Sequence, residues 1–372
     1  MGHIAILSHT FFPVVGGAEI GIHELARRLA REHEVTVVTA MPEGSAQAHS
    51  AIAPEPDGYA VLRYPGALWA TSRLGWLRLR LAWREYRVLR ELHRRRPLTA
   101  VNIHFAGWYG IAALWIRLLL RVPVTLSLVG RTDVYRDLAP GARLHLRICV
   151  ALASRTTQIT RYCLEGWRGG AGVPELPYGV DTAAYRPRSG PVGDPVRLVA
   201  VQRLSAVKRV DALLAAIEAL ELAAPGRYRL LVVGTGPEEP ALRAIAGAGA
   251  AAIEFAGFVA EDELPAVLAA SDVFVTHTMS ETFGVVFAEA MAAGLPIVAA
   301  AATSVPYVVV DGRNGLLAEP FDAEGFAERV RRIAEDPALH ARISTQNRAE
   351  AVERYDWDRV AARLLELMPQ RR

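Results

Sequence analysis

The sequence predicts an α/β protein with two Rossmann-like halves, each a parallel sheet covered by helices. Short apolar runs alternate with segments of helical periodicity along most of the chain, which is typical of parallel sheets. The alternation stops where Pro177, Pro187, Pro191 and Pro195 fall among glycine and aspartate, and it restarts beyond them. A length of 372 residues also favours two domains.

Each half has its own series of predicted strands. In the first half, placed at residues 1–180, a strand, a helix and a strand at 3–8, 17–31 and 34–39 form one βαβ unit. Further strands are predicted there at 59–63, 99–103, 123–128 and 156–160. The second half, placed at residues 190–355, has predicted strands at 196–202, 229–234, 252–255, 273–276 and 297–300, and a last helix follows at 358–368. Because ligands bind at the carboxyl ends of strands in such sheets, we expect a cleft between two facing halves.

The composition excludes several classes of protein. A net charge of +3 gives no sign of nucleic-acid binding. Cys149 and Cys163 form neither a metal motif nor a disulfide pattern, so a reducing cytoplasm is expected. The apolar run 4–7 is too short for a signal peptide, and the run 105–120 carries Arg117 and falls short of a membrane span.

The stretch 271–300 reads as strand, loop, helix and strand, with the helix at 285–293. Glu281 lies in the loop and Glu289 on the helix, so the free amides of the helix N-terminus lie between two carboxylates. Amides bind phosphate or sugar oxygens, and a carboxylate accepts hydrogen bonds from vicinal hydroxyls. This stretch therefore predicts a nucleotide-sugar site.

Two cations follow the first strand of the second half, Arg203 and Lys208. Of the 42 basic residues in the chain, only Lys208 is a lysine, which indicates a need for its compact ammonium group. Two positive charges at this place suit a leaving diphosphate and would do the work of a divalent metal. The alternative is a solvated basic loop.

Three glycine-containing loops also follow strands. Gly16 and Gly17 either let backbone amides approach a phosphate at a helix N-terminus or make an ordinary tight turn. The loops 234–237 and 257–259, the second of which contains Phe258 and Val259, either pass close to a nucleobase or are plain turns. None has the dinucleotide-binding spacing, which argues against a dehydrogenase.

Candidates for an acceptor side lie in the first half. His104 ends a strand, and the loop 130–133, which ends in Asp133, follows the next strand. Either could face an acceptor hydroxyl, although a histidine at a strand end is also explained as a structural residue. The segment 356–358 offers the Asp-x-Asp pattern of metal-dependent sugar transferases, but it begins a helix, where aspartate is a routine cap. We therefore expect no metal.

Residues 68–97 hold nine arginines against Glu85 and Glu91, interleaved with Trp69, Trp76 and Trp83. Two interpretations stay open. The segment is either an interfacial helix that docks on anionic lipid at the inner face of the cell membrane, or a solvated arginine-rich face whose apolar side packs on the sheet.

Together these features resemble the retaining glycosyltransferases of the GT-B fold, family GT4 (glycosyl transferases group 1), along almost the whole chain. The resemblance rests on Gly16–Glu19, Tyr178–Asp181, Arg203 with Lys208, Gly234–Pro237, Gly257–Val259, and Ser280–Val286 leading to Glu289. The last element matches the Glu-x7-Glu signature of the family and is highly specific in this setting. The sequence departs from the family pattern at two positions. Val129 stands where many members carry a histidine before Gly130, which affects the acceptor side. Tyr178 stands where asparagine is common, which we interpret as a change in a local turn.

The resemblance implies a role for each matching residue. Glu289 would hold the ribose hydroxyls, while Glu281 and the amides of Phe283 and Gly284 would hold the donor sugar. The diphosphate would be held by the amides of Val285 and Val286, by Arg203 and Lys208, and by the Gly16–Gly17 loop. The resemblance also implies that the last helix, within 356–372, crosses back onto the first domain.

We therefore predict a retaining, metal-independent transfer of a sugar from a UDP- or GDP-sugar to a hydroxyl acceptor. That acceptor is a polysaccharide, a lipid-linked sugar or a small-molecule glycoside. Positive charge would stabilise the departing diphosphate, and a departing phosphate oxygen would take the acceptor proton. Two other classes fit the sequence: another nucleotide-sugar enzyme of this fold, either an epimerase or a phosphorylase, and a non-catalytic nucleotide-sugar binder. The oligomeric state stays open.

Overall fold

A computed structural model describes residues 2–13, 16–40, 52–54, 57–64, 75–107, 109–187 and 190–369, without side-chain detail for 52–54, 75–78 and 109. Its contacts divide the chain into two compact units. Unit 1 comprises Met1–Tyr178 and Trp357–Arg372, and unit 2 comprises Gly179–Asp356.

Unit 1 contains a seven-stranded sheet. Its strands are β1 (His3–Ser8), β2 (Glu34–Ala40), β3 (Ile52–Pro54), β4 (Ala60–Tyr64), β5 (Ala100–His104), β6 (Val124–Leu128) and β7 (Arg155–Gln158). Its first four helices are α1 (Gly17–Leu29), α2 (Gly75–Arg95), α3 (Tyr109–Trp115) and α4 (Pro140–Leu152). A π-helical turn, Ile116–Leu120, continues α3.

The strand order of this sheet is β3-β4-β2-β1-β5-β6-β7, and all neighbouring strands are parallel except β3 and β4. Every residue of β1 is buried, as expected for a central strand covered on both faces. On α1, Ile22, Leu25, Ala26 and Leu29 are buried at helical spacing, which turns one apolar stripe to the core.

Unit 2 contains a six-stranded sheet. Its strands are β8 (Val196–Val201), β9 (Tyr228–Val233), β10 (Ala252–Gly257), β11 (Val273–Thr276), β12 (Ile297–Ala300) and β13 (Gly315–Ala318). Its helices are α5 (Val210–Ala223), α6 (Glu239–Ala248), α7 (Leu264–Ala269), α8 (Val285–Ala292), α9 (Val305–Val308), α10 (Ala323–Glu335) and α11 (Pro337–Glu350).

The strand order of the second sheet is β10-β9-β8-β11-β12-β13, and every pair is parallel. One core of buried side chains joins α5 and α10 to this sheet, and Leu213, Ile217, Val330 and Ile333 lie within it. Because β8 and β11 are neighbours, the loops that follow them leave the same edge of the sheet side by side.

The last helix, α12 (Trp357–Leu367), belongs to unit 1, so the predicted return of the chain to its first domain is confirmed. It packs against α1. The Nε atom of Arg28 donates to Oδ1 of Asp358 at 2.8 Å, which ties the two helices together. Asp358 is therefore engaged in a contact between two helices of unit 1.

The predicted strands are all present, with their ends shifted by at most two residues. Two observed strands were not predicted, β3 and β13. Both are short, with three and four residues, and the sequence of β13 is Gly-Leu-Leu-Ala, which lacks the β-branched residues that mark a strand. Their positions are decided by pairing with β4 and β12 rather than by local preference.

Candidate active site

The central feature of the predicted donor site is an ion pair in unit 2. The Nζ atom of Lys208 hydrogen-bonds to Oε1 of Glu281, and the two side chains are only 18% and 16% exposed. The residues lie 73 positions apart in sequence. They meet because Lys208 follows β8 and Glu281 follows the neighbouring β11. In a largely buried place, each charge satisfies the other.

Backbone contacts fix the two loops that carry this pair. The amide of Met279 donates to the carbonyl of Val207 at 3.0 Å, which joins one loop to the other. The amide of Glu281 donates to Oγ1 of Thr303 at 3.1 Å. Thr303 has a φ angle of 47°, an unfavourable left-handed conformation for a β-branched residue. The surrounding structure therefore imposes this conformation next to Glu281.

Two more non-glycine residues with positive φ lie close to Lys208. Arg209 has a φ angle of 46° and Phe321 one of 66°. The guanidinium of Arg209 lies over the ring of Phe321, 4.7 Å from its centroid. The amide of Phe321 donates to Nε2 of the buried His277 at 2.9 Å. Strained residues of this kind cluster at functional sites. Sequence reasoning missed all of them, since no local pattern reports a φ angle.

The N-terminus of α8 lies beside Glu281. Gly284 caps it with a φ angle of 78°, and a Cβ atom added there would lie 2.8 Å from Cδ2 of Phe287. Glycine is thus required both by conformation and by space. The first two residues of the helix, Val285 and Val286, are partly exposed, and amides in the first turn have no acceptor within the helix. The preceding Phe283 is buried, with its ring centroid 5.5 Å from that of Tyr355.

Glu289 lies one turn further along α8. Burial, and secondly the charge of Glu261, raise the pKa of Glu289 to about 7. A hydrogen bond from the hydroxyl of Tyr185 opposes this rise, because it stabilises the carboxylate. The carbonyl of Tyr185 accepts from Nη1 of Arg348 at 3.0 Å, and the same atom donates to Ala292 at the end of α8. Tyr185 is a candidate site residue that sequence reasoning missed.

The loop that carries Arg203 depends on two glycines of the loop 234–237. A Cβ atom added at Gly234 would lie 2.1 Å from the carbonyl oxygen of Gln202. One added at Gly236 would lie 2.2 Å from that of Leu204. These glycines therefore let two backbones approach and hold the Arg203 loop, whose arginine is exposed. In the loop 257–259, Phe258 is strongly exposed and Val259 is partly buried.

The glycine loop of unit 1 lies at the N-terminus of α1. Gly16 is the cap residue and has an extended backbone, while Gly17 is the first residue of the helix and is exposed. Glu19 is buried in the first turn, and the hydroxyl of Thr10 donates to its carboxylate.

Neither candidate for the acceptor side presents a free polar group at the surface. His104 is 1% exposed, and neither of its ring nitrogens has a hydrogen-bond partner in the part of the chain that the structure describes. Burial lowers the pKa of His104 to about 3, so its ring is neutral. Asp133 is fully buried and accepts from the amides of Ala106, Val129 and Gly130 at 2.9, 3.0 and 3.1 Å. Burial raises the pKa of Asp133 to about 6. Asp133 thus orders the loops after β5 and β6 instead of facing an acceptor directly.

Tyr178 has a packing role in unit 1. A Cβ atom added at Gly21 of α1 would lie 2.6 Å from Cε1 of Tyr178, and the ring centroid of Tyr178 is 6.0 Å from that of Trp357. The departure from asparagine therefore fills the space between α1 and α12, which is more than a change in a local turn.

Comparison with known proteins decides the family. A model described as Glycosyltransferase Family 4 matches residues 15–184, and a model described as Glycosyl transferases group 1 matches residues 181–350. The chain belongs to the GT4-type glycosyltransferases. Glycosyl transfer is therefore its activity.

Individual relatives of this glycosyltransferase span its full length. It is 28% identical to the GDP-mannose-dependent alpha-(1-6)-phosphatidylinositol monomannoside mannosyltransferase of Mycolicibacterium smegmatis, over 99% of this chain and 98% of the relative. Sucrose-phosphate synthase from Thermosynechococcus elongatus matches with a TM-score of 0.75 and 21% identity, over 99% of this chain and 98% of the other. HepE from Anabaena, in complex with UDP and glucose, matches with a TM-score of 0.70 and 19% identity, over 98% and 99% of the two chains. These likenesses confirm the GT-B fold.

The described residues of this glycosyltransferase contain no helix that is both long and apolar enough to cross a bilayer. They also contain no group of three or more His, Cys, Asp or Glu residues placed to hold a metal ion.

Proposed function

We propose that this glycosyltransferase moves mannose from GDP-mannose to a hydroxyl of a lipid-linked sugar or polyol, with retention and without a metal. The observation that carries the proposal is the Lys208–Glu281 pair beside the open N-terminus of α8. The choice of donor and acceptor class draws on the mycobacterial relative, which is named for GDP-mannose and for a phosphatidylinositol monomannoside.

The donor is bound by unit 2 along α8. Glu289 accepts hydrogen bonds from the ribose hydroxyls in its ionised form. The first-turn amides of Val285 and Val286 donate to the diphosphate, supported by the partial positive charge of the helix end. Glu281, in the loop four residues before Val285, accepts from hydroxyls of the mannose. Phe258 and Val259, in the loop after β10, would contact the nucleobase.

Lys208 serves both the sugar side and the phosphate side of the donor. An ammonium group has three donors, so it can keep its bond to Glu281 while it donates to the β-phosphate. Arg203, which is exposed on the same loop, adds a second positive charge. Together, the charges of Lys208 and Arg203 offset the negative charge that grows on the diphosphate as it leaves. A divalent ion has this task in metal-dependent transferases.

The proposed transfer needs no side-chain base to remove the acceptor proton. The bond between the anomeric carbon of mannose and the β-phosphate oxygen breaks, and the acceptor oxygen forms its bond on the same face. The acceptor proton passes to the departing phosphate oxygen, so the products are GDP and the glycoside. The buried Asp133 orders the loops after β5 and β6 through its three amide hydrogen bonds, and these loops would shape the acceptor edge of unit 1.

The test combines donor choice, metal dependence and stereochemistry. A thermal-shift panel of nucleotide-sugars is expected to show the largest stabilisation with GDP-mannose. Purified enzyme treated with EDTA is expected to keep its turnover, and NMR of the product is expected to show the anomeric configuration of the donor. A larger stabilisation by a UDP-sugar would contradict the choice of donor. Loss of turnover in EDTA that added Mg²⁺ restores, or an inverted product, would contradict the mechanism.

A further inference from the structure

Unit 1 carries a surface of exposed apolar side chains that the transfer reaction does not use. It is formed by Leu79 and Trp83 on α2, Leu118 and Leu119 in the π-helical turn, and Leu144 and Ile148 on α4, and we call it the arginine–leucine surface. These side chains are 42–65% exposed. No other large apolar side chain in the described part of unit 1 is as exposed. The strongly exposed apolar side chains of this unit are therefore confined to these three segments.

Contacts join the three segments that carry these side chains. The rings of Trp83 on α2 and Trp115 on α3 meet with centroids 5.3 Å apart. Trp115 leads directly into the π-helical turn, in which Leu118 and Leu119 are exposed. Arg117 in this turn donates from Nη1 to the carbonyls of Leu152 and Ala153 at 2.6 and 3.3 Å, which fixes the turn to the end of α4.

Arginines border these apolar groups, and acids are rare. On α2, Trp83, Arg87, Arg90 and Arg94 recur at helical spacing and are all exposed. No carboxylate in the described chain lies within ion-pair distance of Arg87, Arg90 or Arg94, and the exposed Glu91 is already paired with Arg95 at 3.1 Å. The segments 109–120 and 140–152 contain arginine but neither Asp nor Glu.

A groove beside α2 adds a place for an anionic group. It has a volume of about 380 Å³ and is lined by five arginines, one glutamate and apolar residues: Arg84, Arg87, Arg90, Arg94, Arg95, Glu91, Leu62, Val88 and Leu92. Guanidinium groups in such numbers suit phosphate, which they bind in a bidentate manner.

We propose that the arginine–leucine surface docks unit 1 on an anionic lipid bilayer. The leucines and Trp83 insert at the level of the acyl chains, and the arginines bind lipid phosphates around them. A second copy of the chain is disfavoured as the occupant, because self-association would place arginine against arginine. The two interpretations of residues 68–97 each describe one side of α2. The apolar side of this helix, with Ala82, Tyr86 and Leu89, packs inward. Its exposed side, with Leu79 and Trp83, belongs to the arginine–leucine surface. Residues 68–74 lie outside the described part of the chain.

The experiment measures co-sedimentation of the full chain with vesicles, in the absence of donor and acceptor. One vesicle contains phosphatidylcholine alone, and the other contains equal parts of phosphatidylcholine and phosphatidylglycerol. We expect binding only to the anionic vesicle, weakened by salt. Because no transfer is measured, failure of this inference would leave the proposed reaction untouched.

Two variants, each with a matched control, assign the binding to the surface. Leu118→Ser with Leu119→Ser, and separately Arg87→Glu with Arg90→Glu, are each expected to weaken vesicle binding on the order of tenfold or more. The controls are Leu222→Ser with Ile245→Ser and Arg229→Glu with Arg332→Glu, exposed residues of unit 2 whose change should leave binding intact.

The remaining outcomes would overturn the inference. These are binding that neither surface variant weakens, equal binding to both vesicles, and no binding to either. Concentration-dependent dimerisation that the Leu118→Ser and Leu119→Ser changes abolish would assign the surface to a second copy instead. Circular dichroism of each variant, expected to match the wild type, shows whether a loss of binding reflects unfolding.

Discussion

Lys208 and Glu281 form a largely buried ion pair between loops that follow two neighbouring strands of one sheet. Lys208 is the only lysine in the chain, and Glu281 is the first glutamate of the Glu-x7-Glu signature. Their contact brings the phosphate-binding and sugar-binding ends of the proposed donor site to one point.

Removing the negative partner should affect chemistry and stability together. Glu281→Gln leaves the ammonium of Lys208 without its carboxylate in a place that is only 18% exposed. We expect the free energy of unfolding to fall by roughly 1–3 kcal/mol, and kcat to fall more than the affinity for GDP, because Glu281 faces the sugar. Denaturant unfolding measures the free energy of unfolding, a turnover assay measures kcat, and calorimetry measures the affinity for GDP. A variant that loses GDP affinity but keeps kcat would place Glu281 on the nucleotide instead.

Binding of GDP should depend on the ionisation of Glu289. The carboxylate accepts from ribose hydroxyls, whereas the protonated acid loses that capacity, so GDP affinity should fall as the pH decreases through about 7. Since the folded pKa lies above the ordinary value of 4.5, this group contributes stability to the free protein that is lost as the pH rises through about 7. Calorimetry of GDP binding from pH 6 to 8 tests the predicted fall in GDP affinity.

Two variants separate Glu289 from other titrating groups. Glu289→Gln should bind GDP weakly with little pH dependence. Tyr185→Phe removes the hydroxyl that stabilises the carboxylate, so the pKa of Glu289 should rise and the midpoint should move to higher pH. An unchanged midpoint in Tyr185→Phe would show that the Tyr185 hydroxyl does not control this titration.

Gly284 should tolerate no side chain. Its φ angle of 78° and the 2.8 Å approach to Phe287 both oppose a methyl group, so Gly284→Ala should destabilise the fold by about 1–3 kcal/mol and displace the N-terminus of α8. The matched control is Gly247→Ala on α6, where an added Cβ would have no neighbour within 4 Å among the described residues. That change should stabilise by up to about 1 kcal/mol. Thermal unfolding compares the two.

The residues around Arg209 should act through Lys208. Phe321→Leu removes the aromatic face under the guanidinium, which lies 4.7 Å away, while keeping an apolar side chain. Because Arg209 directly follows Lys208, we expect a lower kcat with unchanged KM for the donor and little change in Tm. Phe321→Tyr keeps the stacking and should restore kcat. Equal losses in both variants would make Phe321 a structural residue only.

The sequence predicted the strands and the two Rossmann-like halves because apolar periodicity and proline punctuation are local signals. It also indicated Glu281, Glu289, Arg203 and Lys208 through their places after strands or on a helix. Contacts across long separations left no such signal. Tyr185 reaches Glu289 only through folding, and the left-handed conformation of Thr303 is imposed by its surroundings.

The acceptor side was less predictable for the same reason. His104 and Asp133 stand at strand ends, where the sequence cannot distinguish a side chain that faces a ligand from one that turns inward. Both turn inward, and the three amide hydrogen bonds of Asp133 come from two separate loops.

The role of Lys208 in the departure of the diphosphate is tested most directly by the turnover of Lys208→Ala with GDP-mannose in the presence of EDTA. We expect a loss of about a hundredfold or more in kcat, the scale of removing one preorganised donor from a transition state. Lys208→Arg should recover little, because a planar fork does not replace a compact ammonium. Arg332→Ala, a change of equal charge on the exposed face of α10, should turn over like the wild type. Wild-type kcat in purified Lys208→Ala would contradict the role of Lys208 in the departure of the diphosphate.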